Sequence, residues 1–193
     1  MKNRKTLWTV LIVILAAAAV TFWLMQRPAP RMSAVIDSMN GSHYALDLPS
    51  TMTSGDFDEH ASLQYADRNA ELYVMVIDES KEKIASFGLD YDLETYMKIA
   101  VRRLDSTGLY RATTRNLGNY KAIQTEVKAK FKGENMIYLL TTIESETGFY
   151  QVLLWTLESR YEKHKPEMER ILTSFRETKT SPGSVNKQAD TPK

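Results

Sequence analysis

Residues 123–157, IQTEVKAKFKGENMIYLLTTIESETGFYQVLLWTL, carry three strand-like segments separated by two turn-like ones. Ile123, Thr125, Val127, Ala129 and Phe131 alternate with Gln124, Glu126, Lys128 and Lys130, the pattern of a strand that is wet on one side. The stretch 132–135, with Gly133, predicts a hairpin turn into a strand over 136–143. Glu146, Thr147 and Gly148 predict a second turn into a strand over 149–157. Both later strands are apolar on both faces, so each needs cover above and below. Three consecutive strands joined by tight turns make an antiparallel meander.

Upstream, Tyr44, Leu46 and Leu48 alternate with Ala45 and Asp47 and stop at Pro49, which predicts an opening strand over 43–48. A weaker strand is expected over 62–65, after the turn-rich stretch 50–58, and a two-faced central strand over 72–77. Leu93, Tyr96, Met97, Ala100, Val101 and Leu104 are spaced by threes and fours and predict a helix, capped by Asp92 and ended at Gly108. Met168, Ile171, Leu172 and Phe175 predict a closing helix that opens near Pro166, a residue suited to a first helical turn. Two helices with six or seven strands imply an α+β domain, an antiparallel β-sheet with a C-terminal three-strand meander covered by helices, over residues 42–177.

The 193 residues include 25 basic and 24 acidic ones, but the charges are unevenly placed. Between residues 32 and 178 there are 17 basic and 23 acidic side chains, a net charge of −6. A body of that sign is repelled by phosphate backbones, which excludes nucleic acid as the expected partner. The absence of cysteine excludes disulfides, thiolate metal sites and a cysteine nucleophile.

Five basic residues and no acidic one precede residue 32, and within that segment residues 7–25 (LWTVLIVILAAAAVTFWLM) run without a charge. A helix of that length measures about 28 Å against a hydrocarbon core of about 30 Å. Residues 1–6 are thus expected to be a cytoplasmic N-terminus and 7–25 a transmembrane signal-anchor helix, with the lipid bilayer as its partner. Trp8 and Trp23 lie close to the two ends of the run, where indole rings favour the headgroup layer, and Lys2, Arg4 and Lys5 favour a cytoplasmic N-terminus. The alternative is a signal peptide cleaved near Ala18, within the small residues Ala16–Ala19, and secretion of the rest. Either reading places the body outside the cytoplasm, in a periplasm or at a cell surface. Residues 26–41, with Pro28 and Pro30, read as an extended linker, and residues 178–193 as a disordered tail.

The strand ending in Pro49, the central helix, the Asn116-Leu117-Gly118 turn before the meander and the closing Ile171-Leu172-Thr173-Ser174-Phe175 resemble the PsbP-like superfamily. That resemblance implies a PsbP-like or DcrB-like α+β domain that works as a binding or assembly module, with no shared catalytic constellation to carry over. The lipidated cysteine of DcrB-type lipoproteins is missing from this chain, so a helical anchor has to replace it.

No glycine-rich phosphate loop, G-x-S-x-G elbow or H-E-x-x-H pair occurs, and no cofactor or catalytic residue is expected. Asp56, Asp58, Glu59 and His60 supply hard oxygen ligands and one imidazole, so they are the candidate metal site, and they would serve the alternative function of an exported hydrolase or metal-binding enzyme. A solvated acidic loop is the competing reading. Lys98, Arg102 and Arg103 lie away from the central helix's apolar stripe, as a solvated face or a contact for a partner. Tyr138, Phe149, Tyr150 and Trp155 sit on the meander, mainly as core. Were one sheet face only partly covered, Tyr150 would line a groove for a partner segment, and full burial of its ring would end that idea. The expected role is a membrane-anchored extracytoplasmic binding or assembly module, not an enzyme, acting on a membrane or envelope protein.

Overall fold

The computed structural model describes residues 30–37, 43–104, 111–131 and 133–178. The expected anchor, the Gly108 helix stop and the tail beyond residue 178 lie outside them. In chain order the strands are β1 (Arg31–Asp37), β2 (His43–Pro49), β3 (Thr53–Ser54), β4 (Leu63–Asp67) and β5 (Leu72–Ser80), then β6 (Thr113–Leu117), β7 (Tyr120–Phe131), β8 (Glu134–Glu144), β9 (Gly148–Leu157) and β10 (Arg176–Glu177). The helices are α1 (Lys81–Ser86), α2 (Leu93–Arg102) and α3 (Tyr161–Thr173).

Seven strands form one antiparallel sheet in the order β3-β4-β5-β9-β8-β7-β6, and β1-β2-β10 form a second. The meander pairs as its alternation requires, with Val127 opposite Tyr138 and Tyr138 opposite Trp155. It also has a fourth strand. A two-residue turn through Gly118, at φ 58°, joins β6 to β7 where three strands were expected.

Because side chains alternate across a strand, the large sheet has two independent apolar faces. The first buries Val74, Leu139, Val152 and Leu154 against Tyr44, Leu46 and Leu48 of β2 and Met168, Ile171 and Leu172 of α3. The second buries Met75, Leu140 and Leu153 against Ile84 of α1 and Leu93, Tyr96, Met97, Ala100 and Val101 of α2. Asp92 caps α2 as expected, its carboxylate accepting from the Thr95 amide at 2.7 Å.

Three expectations are corrected. The linker expected over 26–41 contains β1, which pairs with β2 from Arg31–Pro49 to Asp37–His43, so the fold starts at Arg31 and not at residue 42. Met32 and Ile36 pack against the first core and Ala34 is buried in it, and that gain in burial outweighs the extended, proline-flanked character of the segment. The closing helix opens at Tyr161, leaving Pro166 inside it. Proline lacks the N–H for one helical hydrogen bond there, and the burial of Tyr161 and His164 ahead of it sustains the extra turn. Finally, α1 forms where no helix was expected, because its single buried side chain, Ile84, makes no stripe.

Candidate functional site

Each candidate site residue named from the sequence lies among the described residues. Around Asp56–His60 the Gln64 side chain fastens the loop: its Oε1 accepts from the amides of Phe57 and Asp58, and its Nε2 donates to the Asp58 carbonyl at 2.8 Å. Asp58 Oδ1 accepts from the His60 amide at 2.8 Å. The side chains of His60 and Glu59 stand 73% and 88% exposed. No three His, Asp or Glu side chains converge as metal ligands among the described residues, these included. What the loop does hold in place is Phe57, edge-on to Tyr73 (5.8 Å) and Trp155 (5.4 Å). Gly55 permits this, since a Cβ there would fall 2.3 Å from the Phe57 ring.

Tyr150 is fully buried, which removes the groove expected at that ring. Its hydroxyl donates to Glu177 Oε1 at 2.8 Å, and its ring packs edge-on against Phe175 (4.9 Å) and Tyr44 (5.4 Å). The C-terminal strap supplies this cover: Glu177 pairs with Tyr44, and the Thr178 amide donates to the His43 carbonyl. Lys98, Arg102 and Arg103 are exposed on α2, away from its buried stripe.

The second face of the large sheet carries two features, a ring row that includes Tyr138 and Trp155, both read from the sequence mainly as core, and a cavity that the sequence reading missed. One is a row of stacked rings across three strands, Tyr73 on Trp155 (5.3 Å, 10°) and Trp155 on Tyr138 (5.7 Å, 23°), half-buried beyond the helical cover. Burial raises the Tyr138 hydroxyl above its ordinary range. The other is a cavity of about 310 Å³ between α1, the α1–α2 turn and the end of the sheet, lined by Lys81, Ile84, Leu89, Tyr91, Glu144 and Phe149, with Asp90 at its wall.

Local chemistry builds this cavity. Ser80 caps α1, accepting from the Lys83 amide at 3.1 Å. At the other end the Gly88 amide donates to Ala85 O and the Leu89 amide to Ile84 O, with Gly88 at φ 70°. Those two bonds are a Schellman closure, for which glycine in the left-handed region is the natural residue. The closure leaves Phe87 and Leu89 on either side of Gly88, exposed by 70% and 44%. Lys81 Nζ donates to Glu144 Oε1 (2.9 Å) and Ser145 O (2.8 Å) and lies 5.2 Å from the centre of the Phe149 ring. Ser80 before Lys81, and Gly88 between two apolar residues, were the available sequence signals for this turn.

The element order, the two-faced sheet and the helical cover are now placed, and residues 31–177 match the PsbP family. The chain belongs to the PsbP family. Among solved structures it is similar to the cyanobacterial PsbP (CyanoP) of Synechocystis sp. PCC 6803, with TM-score 0.54 and 14% identity over 79% of this chain and 95% of that one. It is also similar to LpqN of Mycobacterium tuberculosis, a protein involved in cell envelope biogenesis, with TM-score 0.51 and 12% identity over 77% and 92% of the two chains. A third relative in fold, from Bacteroides thetaiotaomicron VPI-5482, has TM-score 0.50 and 9% identity over 71% of this chain, which spans 46% of that one. No curated protein matches the chain. Identities this low establish a shared PsbP fold and carry no residue-level role.

Proposed function

We propose that this PsbP-family protein is a membrane-anchored extracytoplasmic module that binds or assembles a membrane-associated protein and has no catalytic activity of its own. The observation that carries the reading is the distance in sequence between two features. The uncharged run 7–25 ends five residues before β1 begins at Arg31. Five residues reach about 18 Å when fully extended, so a domain anchored this way works close to the bilayer. Tethering raises its effective concentration for membrane partners without any added contact. The PsbP family and the envelope role in LpqN's description support the binding reading.

Because the chain has no cysteine, one introduced at the exposed Lys121 is a clean reporter. In cells expressing full-length Lys121→Cys, a membrane-impermeant maleimide is expected to label the protein before lysis, and the labelled protein should stay with membranes through an alkaline wash. Labelling only after lysis contradicts export. Release into the wash contradicts the anchor and favours cleavage near Ala18.

A further inference from the structure

We propose that the α1–α2 cavity is the docking site for a basic, apolar-flanked segment of a partner protein, whose lysine or arginine enters the cavity while its neighbours cover Phe87 and Leu89. The proposal rests on the binding-module reading and gives it a surface and a partner chemistry.

Three observations select this occupant. First, the walls are apolar where a long aliphatic stem would lie, along Leu89, Tyr91 and Ile84. Second, the cavity's own cation is already engaged. Lys81 already donates to Glu144 and the Ser145 carbonyl and lies over the Phe149 ring, so its charge is matched within the site and calls for no acidic ligand. Asp90, at the wall, has no ion-pair partner among the described residues, which leaves the site with a free carboxylate. A cationic head on an apolar stem satisfies both conditions, as lysine and arginine side chains do when they cover apolar surface.

Third, Phe87 and Leu89 are held exposed. The Schellman bonds fix the backbone of the turn, so both side chains project from set positions, which lowers the backbone part of the ordering cost of association. Apolar side chains beside a pocket are the usual centre of a contact, with charges at the rim setting partner choice. Charge also argues against the other occupants. A second copy would bring another body of net charge −6, and an anionic lipid surface would meet the same repulsion.

The test presents a phage-displayed library of random 12-residue peptides to the full chain in nanodiscs and to its Asp90→Lys and Phe87→Ala variants, both at exposed positions. Enriched peptides are expected to place lysine or arginine beside leucine or phenylalanine. Their binding should fall at least tenfold with Asp90→Lys, several-fold with Phe87→Ala, and further with added salt, while circular dichroism stays unchanged. Enrichment of acidic or uncharged peptides, or equal retention by Asp90→Lys, overturns the proposal. Peptides that bind a different surface overturn the site and leave the module reading standing. If no peptide is enriched the docking site is rejected, and the Lys121→Cys labelling then reports separately on the anchored module.

Discussion

The two faces of the seven-stranded sheet are built from similar apolar rows but are finished differently. The first is sealed by a second sheet and a 13-residue helix, and charged side chains tie the seal down. Arg115 bridges to Glu169 at 2.7 Å, Lys165 to Glu126 at 2.8 Å, and Arg31 to Glu167 at 2.7 Å. Aromatic rings of Tyr44, Tyr120, Tyr150 and Phe175 close its end. The second face has ten residues of α2 and six of α1 for cover, and beyond them lie the half-buried ring row, the cavity and the exposed Phe87 and Leu89. A sealed face is what stability needs, whereas an incompletely covered one with exposed apolar edges is suited to meeting something else.

That contrast is sharpened or broken by matched substitutions. Phe175→Ala on the sealed face removes a ring packed against three others and should cost about 3–5 kcal/mol, read as a lowered denaturant midpoint. Phe57→Ala on the second face, where the ring is partly exposed and meets two others, should cost about 1 kcal/mol. Gly55→Ala should cost a similar amount, about 1 kcal/mol, and almost nothing once Phe57 is already alanine, because the two changes act on one contact. A loss from Phe57→Ala as large as that from Phe175→Ala would erase the distinction between the faces.

Acid should loosen the sealed face in two steps. His164 on α3 is held below its ordinary value, chiefly by burial and then by the neighbouring Lys163 and Arg160, while Ala70 and Asp67 act in the opposite sense. The unfolded chain therefore takes up this proton more readily, and the stability His164 confers as a neutral ring is lost as pH falls below about 6.5. Asp47 on β2 is held below the usual carboxylate range, chiefly by the Ser33 hydroxyl and then by Arg176. Its contribution is present above about pH 4 and is lost as pH falls through the lower folded value. Midpoints measured from pH 7.5 to 3 should show both declines; His164→Gln should remove the first and Asp47→Asn the second. The smallest expected effect is that of Phe87→Ala, within about 0.5 kcal/mol on stability, alongside its several-fold effect on peptide binding.

Much of this architecture was legible in the sequence because β7, β8 and β9 announce themselves through alternation and apolar runs that turns interrupt. The stripe of α2 and its Asp92 cap were equally plain. β1 was hidden by its surroundings. Met32, Ala34 and Ile36 do alternate with Arg31 and Ser33, but Pro28 and Pro30 just before them gave the segment a linker's composition. The C-terminal strap that completes the first face's seal was invisible for a different reason. Nothing local in Arg176–Glu177 shows that it will pair with β2 and bury Tyr150.

The candidate site was less legible still. In Asp56–His60 the charged side chains draw notice as ligands, yet the structural role belongs to Phe57 between them. The cavity joins Lys81 to Glu144, 63 residues apart, through the meeting of a helix start with the end of a hairpin, and no periodicity encodes such a meeting.

The most direct test places a photo-crosslinking side chain in full-length protein in its native membranes, at Ala85 beside the cavity and, for comparison, at Arg170 on the exposed side of α3. The account predicts one stoichiometric adduct at position 85 that maps to a lysine- or arginine-containing segment of a membrane-associated protein, with none at position 170. An adduct at position 170 alone, or equal adducts at both, contradicts it.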